Sequence, residues 1–219
     1  MQRFYSFGLT IGVLFSASTL FAQNNLIVTS PASPSPGSSN VYVGIGAINS
    51  STANTGANNT NVGTSAGASN ISGSSNAMIG AEAGFSNQTG SSNAFVGRGA
   101  GYGNTTGFNN AYFGAQAGAS SNIGSSNIAV GAFSGLSNFL GRNNISIGVN
   151  SALLNFSGSN NTYLGHESGY SNQLGSFNVI LGDSAGRSNT ATGNVFIGSR
   201  AGFSNTTGTQ NTFTGYRSG

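Results

Sequence analysis

Glycine recurs at a fixed interval through most of this chain, and this period restricts the fold more than any other feature of the sequence. The repeating glycines are Gly46, Gly63, Gly80, Gly97, Gly114, Gly131, Gly148, Gly165, Gly182, Gly198 and Gly215. Every step has the same length except that from Gly182 to Gly198, which is one position shorter. The repeat reads G-s-x-N-x-h-h-G-x-x-A-G-x-x-N-x-x, in which h is apolar, as in GSSNAMIGAEAGFSNQT (73–89). Such self-similarity is typical of repeat architectures.

The length of the repeat excludes the helical repeat folds. Helical hairpin repeats need about 33 residues or more, and each glycine in a helix costs about 1 kcal/mol relative to alanine. A 17-residue unit is long enough for one turn of a coil, in which short strands stack on those of the next turn at ~4.8 Å. The sequence therefore predicts an all-β protein, a parallel β-solenoid of about ten turns that forms a rod on the order of 50 Å long.

Alternation along each predicted strand divides its residues between two faces. Apart from Phe113, the residue before each repeating glycine and the one two positions earlier are small or branched, as in Val96 and Ala94 or Ile147 and Ile145. We assign this face to the interior, where Val96, Phe113, Val130, Ile147 and Leu164 are expected to stack. The residue between them is predicted to point outward. The outward set is Met78, Phe95, Tyr112, Tyr163, Phe196 and Phe213.

An apolar outer face is unusual, because a solvated strand face is normally polar. Large exposed apolar patches mark contacts with other molecules. The sequence therefore predicts that the outward set is a stripe covered by other copies of the chain, most simply in a homotrimer.

Two asparagine columns run through the repeats. The first lies four residues before each repeating glycine and comprises Asn59, Asn76, Asn93, Asn110, Asn127, Asn144, Asn161, Asn178, Asn194 and Asn211. Stacked amides hydrogen-bond their neighbours along a cross-β axis, so we interpret this column as a structural ladder and not as a ligand site. The second column marks another corner of the turn. Its members are Asn70, Asn87, Asn104, Asn138, Asn155, Asn172, Asn189 and Asn205.

Composition limits the possible partners. Charged residues make up 4% of the chain, with six arginines and three acids. The arginines are scattered, so no basic stripe is available to neutralise a row of phosphates, and we expect no nucleic-acid partner. Disorder requires low hydrophobicity with high charge, whereas 37% of this chain is hydrophobic and aromatic residues recur throughout. We therefore expect a folded protein.

The amino terminus indicates export. Arg3 precedes an uncharged, largely apolar run, residues 7–21, which is typical of a secretory signal peptide. We expect residues 1–22 to be removed after Ala22, residues 23–39 to form a Pro/Ser-rich linker, and residues 40–219 to form the solenoid. No second apolar stretch follows, so no membrane span is expected after cleavage. Because Gly219 falls partway through a turn, we expect the solenoid to continue beyond it.

Particular repeats resemble a known family. SNAMIGAEAG, NNTYLGHESG and FNVILGDSAG are similar to the N-x-h-x-h-G-x-x-A core of head repeats in YadA-like trimeric autotransporter adhesins. The repeats also resemble NTFIGxxAG arrays of bacterial surface and fibre proteins, which carry a C-terminal intramolecular chaperone domain of the endosialidase type. The resemblance implies a left-handed β-roll, three chains side by side, attachment to host, matrix or neighbouring-cell surfaces, and a location outside the bacterial outer membrane.

Chemistry-bearing side chains are few. His166 and Asp183 are separated by one repeat, and Glu167 lies beside His166, so the three are expected on adjacent turns. A catalytic site would need a nucleophile or a further partner as well, and a calcium-binding β-roll needs an aspartate in each repeat. We predict no catalytic residues, no metal site and no cofactor.

Three functions remain open. The first is a structural or adhesive rod. The second is an ice-binding solenoid, which needs a regular threonine array. The threonines that partly fill one column are Thr55, Thr89, Thr106, Thr192 and Thr207, with Ile123, Leu140 and Leu174 as interruptions. The third is an amyloid-like extracellular matrix protein, which the Asn and Gly content allows.

Overall fold

In a computed structural model, which describes residues 39–47 and 55–219, the chain is a parallel β-solenoid, and these residues contain no helix. The strands are β1 (Val41–Val43), β2 (Thr60–Val62), β3 (Ala77–Ile79), β4 (Ala94–Val96), β5 (Ala111–Phe113), β6 (Ile128–Val130), β7 (Ile145–Ile147), β8 (Thr162–Leu164), β9 (Val179–Leu181), β10 (Val195–Ile197) and β11 (Thr212–Thr214). Each strand pairs in parallel with the next along the chain, in one 11-stranded sheet. The predicted fold class is confirmed. We number each turn by the strand with which it begins.

The register follows the sequence period except in the first turn. Ala94 pairs with Ala111, one full period further on, and Val179 pairs with Val195 across the step that is one position shorter. Val41, however, pairs with Thr60, so turn 1 is longer than the period. The first repeating glycine is therefore Gly44, with a φ of 125° like its successors, and the assignment of Gly46 to that column was wrong.

Backbone pairing between turns continues outside the strands. The Gly84 amide donates to the Ala100 carbonyl at 2.9 Å, and the Ser86 amide donates to the Tyr102 carbonyl at 2.9 Å. At the next corner the Ser92 amide donates to the Ser74 carbonyl at 2.9 Å. Buried backbone groups need partners, and the equal length of successive turns supplies one at most positions. Three-residue strands therefore suffice to hold the coil together.

The interior contains the middle residue of each strand, so the predicted division of faces was wrong. Met78, Phe95, Tyr163 and Phe196 are fully buried, and Tyr112 is 1% exposed. Phe213, in β11, is partly buried against Phe196. The predicted oligomer stripe, Met78, Phe95, Tyr112, Tyr163, Phe196 and Phe213, thus lies inside the coil. The residues assigned to the interior flank it and face outward; for example, Phe113 is 41% exposed and Leu164 is 47% exposed.

The opposite wall of each turn explains this inversion. In most turns an alanine or serine and then a glycine follow the repeating glycine by three and four residues, and they leave space for one large side chain per turn. A Cβ atom added at Gly101 would lie 2.7 Å from the Phe95 ring, and one at Gly118 would overlap the Tyr112 ring. In turn 7 the inward residue is the small Ser146, and alanine stands in the glycine column there. In this turn a smaller residue on the strand side is matched by a larger residue on the opposite side, which keeps the interior closely packed.

Small inward residues divide the apolar core into two clusters. One cluster runs from Ala66 to Ala129 and the other from Ala152 to Ala201. At their junction, Ala129, the last member of the first cluster, and Ser146 replace the large side chains of the other turns, and the Ser134 hydroxyl donates to the Ser146 carbonyl at 2.7 Å. Turns 6 and 7 therefore bury less apolar surface than turns 3 to 5.

Two predicted segments lie outside this description. The predicted signal peptide, residues 1–22, and all but the last residue of the predicted linker, residues 23–39, are outside the described residues. A search of the residues that are described found no helix with the length and apolarity that a membrane crossing requires.

Candidate binding and assembly surfaces

The asparagine ladder lies in the interior, with its members stacked from turn to turn. The Asn161 amide donates to Oδ1 of Asn144 at 3.0 Å, and Nδ2 of Asn161 donates to the same oxygen at 3.1 Å. Nδ2 of Asn161 also donates to the Gly175 carbonyl at 2.9 Å. From Asn59 to Asn194, each ladder asparagine is engaged in holding two turns and a corner together, which leaves no amide for a ligand. The column that the sequence singled out is thus part of the scaffold.

The second asparagine column holds the other corner of the turn. Nδ2 of Asn87 donates to the Gly90 carbonyl at 3.0 Å, and Nδ2 of Asn104 donates to Oδ1 of Asn87 at 2.8 Å. In turn 5 this column contains Ser121 instead, whose hydroxyl lies 2.9 Å from the hydroxyl of Tyr112. The substitution provides a hydrogen-bond partner for a buried phenol.

Two tyrosines in the interior have perturbed acidity. Burial raises the pKa of Tyr112 to about 12, although its hydrogen bonds to Ser121 and Asn127 act in the opposite direction. Burial likewise raises the pKa of Tyr163, which accepts a hydrogen bond from Nδ2 of Asn172. Desolvation disfavours the phenolate, so both groups are neutral at physiological pH. Both belong to the core and neither is reachable by a substrate.

The outer face of the sheet is apolar along most of the rod. Both outward positions of each strand hold aliphatic, aromatic or threonine side chains, and no strand residue is charged. The most exposed of these side chains are Val41, Ile79, Phe113, Ile128, Val130, Ile145, Ile147, Leu164, Val179 and Ile197. Ten strand spacings of ~4.8 Å and three residues of ~3.3 Å give this outer strand face an area of roughly 480 Å². The sequence indicated these strand residues as one face of the sheet but wrongly assigned that face to the interior of the solenoid.

Apolar residues also extend the outer strand face at the corner that precedes it. Phe108 is 48% exposed and Phe177 is 64% exposed, and both lie five or six residues before a repeating glycine. A continuous exposed apolar surface larger than a few hundred Å² is unusual on a monomer. The outer strand face with this corner is therefore the main candidate for contact with another protein surface.

Most of the charged residues that the structure describes lie on the loop that follows the strand, with Arg142 as an exception. Nδ1 of His166 lies 3.1 Å from Oδ1 of Asp183, and both side chains are more than half exposed. Nε of Arg187 donates to Oε2 of Glu167 at 2.8 Å, and its guanidinium lies 4.8 Å from the centre of the Tyr170 ring. The expected contact of His166 with Asp183 is confirmed, whereas the Glu167 carboxylate pairs with Arg187. An exposed pair such as His166 and Asp183 contributes little to stability.

The remaining arginines of this loop, Arg98, Arg200 and Arg217, are also exposed. Arg200 and Arg217 occupy the same column of adjacent turns, and each stacks near an aromatic ring, of Phe203 and Tyr216 respectively. Within residues 39–47 and 55–219, no group of three or more histidine, cysteine, aspartate or glutamate side chains is placed to hold a metal ion.

The threonines do not form the regular array that ice binding requires. Thr192 belongs to the serine column, because its hydroxyl accepts a hydrogen bond from the Ser176 amide at 3.2 Å, as Ser125 accepts from Phe108. Its assignment to the column of Thr89 and Thr106 was therefore wrong. That column contains exposed aliphatic residues as well, including Leu174.

Comparison of the chain with protein-family models, with curated proteins and with solved structures found no match.

Proposed function

We propose that this protein is a non-enzymatic structural and adhesive rod, secreted to the surface of a bacterium, outside its outer membrane. In this proposal the solenoid keeps its binding surfaces in a rigid, extended array. The polar groups of the ladder are engaged in holding the turns, and the exposed charged pairs lack the nucleophile or third partner that catalysis would need. Export rests on the apolar run of residues 7–21.

The observation that carries the proposal is the uncharged outer strand face. We infer that two further copies of the chain cover it, in a homotrimer whose three-fold axis is parallel to the rod. The alternative of a heterologous contact that fails to close would give fibres. A second copy suits this face because it offers the same uncharged apolar surface at the same ~4.8 Å repeat along its length. The covered residues are those of the outer strand face, and not the buried set that contains Phe95 and Tyr112.

A cysteine scan tests this arrangement cleanly, because the chain has no cysteine of its own. In a closed trimer the same residue of each copy approaches the axis, so Val130→Cys on the outer strand face should give a disulfide-linked dimer under mild oxidation. Ser120→Cys, exposed on the loop side, is the matched control and should remain monomeric on a denaturing gel. Equal cross-linking of the two variants, or none in either, would contradict the proposed interface.

A further inference from the structure

A depression of about 420 Å³, which we name the Tyr102 notch, lies on the loop side of turns 3 to 6. The exposed ring of Tyr102 forms one wall, the buried Gly99 forms the floor, and Glu82, Arg98 and Gln116 surround the opening. Its volume falls within the range of about 300–1,000 Å³ that small-molecule sites occupy. The proposed adhesive role needs a ligand site, and this notch is the candidate.

Two small residues create the notch. One column along the loop reads Phe85, Tyr102 and Ala119 in turns 3 to 5. The Phe85 and Tyr102 rings stack at 5.1 Å with an interplanar angle of 5°, so one face of Tyr102 is covered. Ala119 has no ring to cover the other face. Beside it, Gly99 interrupts the column of Glu82 and Gln116, which opens the space in front of that free face.

Four turns further on, a side chain of the protein itself fills the equivalent space. Tyr170 holds the position of Tyr102, and Arg187 holds the position of Ala119: the Ser171 amide donates to the Arg187 carbonyl as the Gly103 amide donates to the Ala119 carbonyl. The Arg187 guanidinium lies over the Tyr170 ring, 4.8 Å from its centre, and is hydrogen-bonded to a carboxylate. A group with a flat face and polar edges therefore fits this position of the coil. At Tyr102 the chain supplies no such group.

The polar groups around the notch are available to a ligand. Among the residues that the structure describes, the side chains of Glu82, Arg98 and Gln116 make no hydrogen bond or ion pair. Together they offer a carboxylate, a guanidinium and an amide, which bear no net charge and provide both donors and acceptors. Such a set suits vicinal hydroxyl groups and does not favour a polyanion or a polycation.

We propose that the Tyr102 notch binds a neutral pyranose unit of a glycan. The apolar C–H face of the sugar lies against the free face of Tyr102, and its hydroxyls bond to Glu82, Arg98 and Gln116. This inference rests on the adhesive role proposed above and names the class of its ligand. It does not depend on assembly, because the notch is built by one chain.

The test uses the full chain on an array of neutral hexose and N-acetylhexosamine oligosaccharides, with heparin as an anionic comparison. The key variant combines Gly99→Glu with Ala119→Arg, which copies the Glu167 and Arg187 pair and closes the notch. Gly99 has a φ of 64°, and Glu82 and Glu167 adopt similar values in its column, while a Cβ there meets only Gln116 Cγ, at 3.6 Å. The variant is therefore expected to fold, which its thermal unfolding will check.

The expected result is binding of at least one neutral oligosaccharide, a loss of tenfold or more in the double variant and in Tyr102→Ala, and unchanged binding in Phe156→Ala, which removes an exposed ring elsewhere. Three results would overturn the proposal: no neutral oligosaccharide binds, only heparin binds, or closing the notch leaves binding unchanged. The oligomeric mass of the same samples separates the two proposals. A monomer that binds sugar contradicts the trimer alone, and a trimer that binds none contradicts the notch alone.

Discussion

A single buried asparagine makes hydrogen bonds to several groups of the neighbouring turns in this coil. The Asn144 amide donates to Oδ1 of Asn127, its Nδ2 donates to the Gly158 carbonyl at 2.8 Å, and its Oδ1 accepts from Asn161. A buried polar group left without a partner costs about 1–3 kcal/mol. Asparagine is thus required at these positions because its side chain hydrogen-bonds to the following turn as both donor and acceptor, and no apolar residue can make these bonds. The sequence indicated this role through the unbroken column, but it did not show that the acceptor of most of these side-chain amides is the corner glycine of the next turn, as Gly158 is for Asn144.

Replacing Asn144 by alanine is expected to lower the free energy of unfolding by about 2–4 kcal/mol, because the Gly158 carbonyl and the Asn161 amide both lose their partner. Asn143→Gly is the control next to it. Asn143 is exposed with a φ of 56°, which glycine adopts readily, so its stability should change by less than about 0.5 kcal/mol. Urea unfolding followed by circular dichroism measures both. Equal effects of the two variants would refute the structural role of the ladder.

The buried phenols predict sensitivity to alkali. Since burial raises the pKa of Tyr112 to about 12 from 10, the folded state binds a proton that the unfolded chain has lost between these values. Stability is therefore complete below about pH 10 and falls as the pH rises to about 12, by roughly 3 kcal/mol for this residue. Tyr163 acts in the same direction.

The combined variant Tyr112→Phe and Tyr163→Phe should flatten this alkaline decline, at the cost of two hydrogen bonds at neutral pH. Phenylalanine fits the column, as Phe95 and Phe196 show. Unfolding curves at intervals from pH 8 to pH 12 provide the measurement. An unchanged slope in the variant would mean that other groups cause the decline.

At the scale of the strand, the sequence predicted the elements but not their orientation. The period located all of the strands from β2 onward, and alternation correctly grouped residues such as Ala94 and Val96 on one face. It could not decide which face is inside, because a three-residue strand has apolar residues on both. The uniform size of the flanking columns suggested a narrow interior. The deciding signal was in the loop: a small residue followed by glycine, opposite most strands, leaves space for one large residue, and this glycine becomes Ala152 where the inward residue is Ser146.

Neighbouring residues of β4 test the corrected orientation. Phe95→Ala should destabilise the fold by about 3–5 kcal/mol, because it leaves a cavity in the stack with Tyr112. Val96→Ala, on the half-buried outer side, should cost about 1 kcal/mol or less in the monomer. Thermal and chemical unfolding compare them. A larger loss for Val96 than for Phe95 would restore the orientation that the sequence first suggested.

Turns 6 and 7 are expected to be the least stable part of the coil's centre. The inward residues there are small, with Ala129 at the end of the first apolar cluster and Ser146 between the two clusters, so fewer buried contacts resist local opening. Hydrogen exchange should show lower protection for the Ile128 and Ile145 amides than for those of Ala94 and Val179. Uniform protection along the sheet would indicate that backbone pairing alone sets the stability.

At the scale of the whole molecule, a repeating sequence produces surfaces that repeat as well. The outer strand face arises because identical turns bring equivalent side chains into columns, and departures from the repeat create local sites such as the Tyr102 notch. The sequence predicted the rod and the need to cover an apolar face, yet the notch was missed because it depends on Gly99 and Ala119, where large side chains are absent. The repeat pattern identifies residues that recur in every turn, whereas the notch is formed by residues that depart from the repeat.

The mass of the full chain in solution tests the assembly most directly, because each copy leaves its outer strand face open unless others cover it. Multi-angle light scattering at micromolar concentration should give three times the mass of the chain that is loaded, with no dependence on concentration over a tenfold dilution. Large particles that grow with concentration would indicate an open, fibre-forming contact. A stable monomer, with Ile147 and Leu164 left in water, would contradict the account.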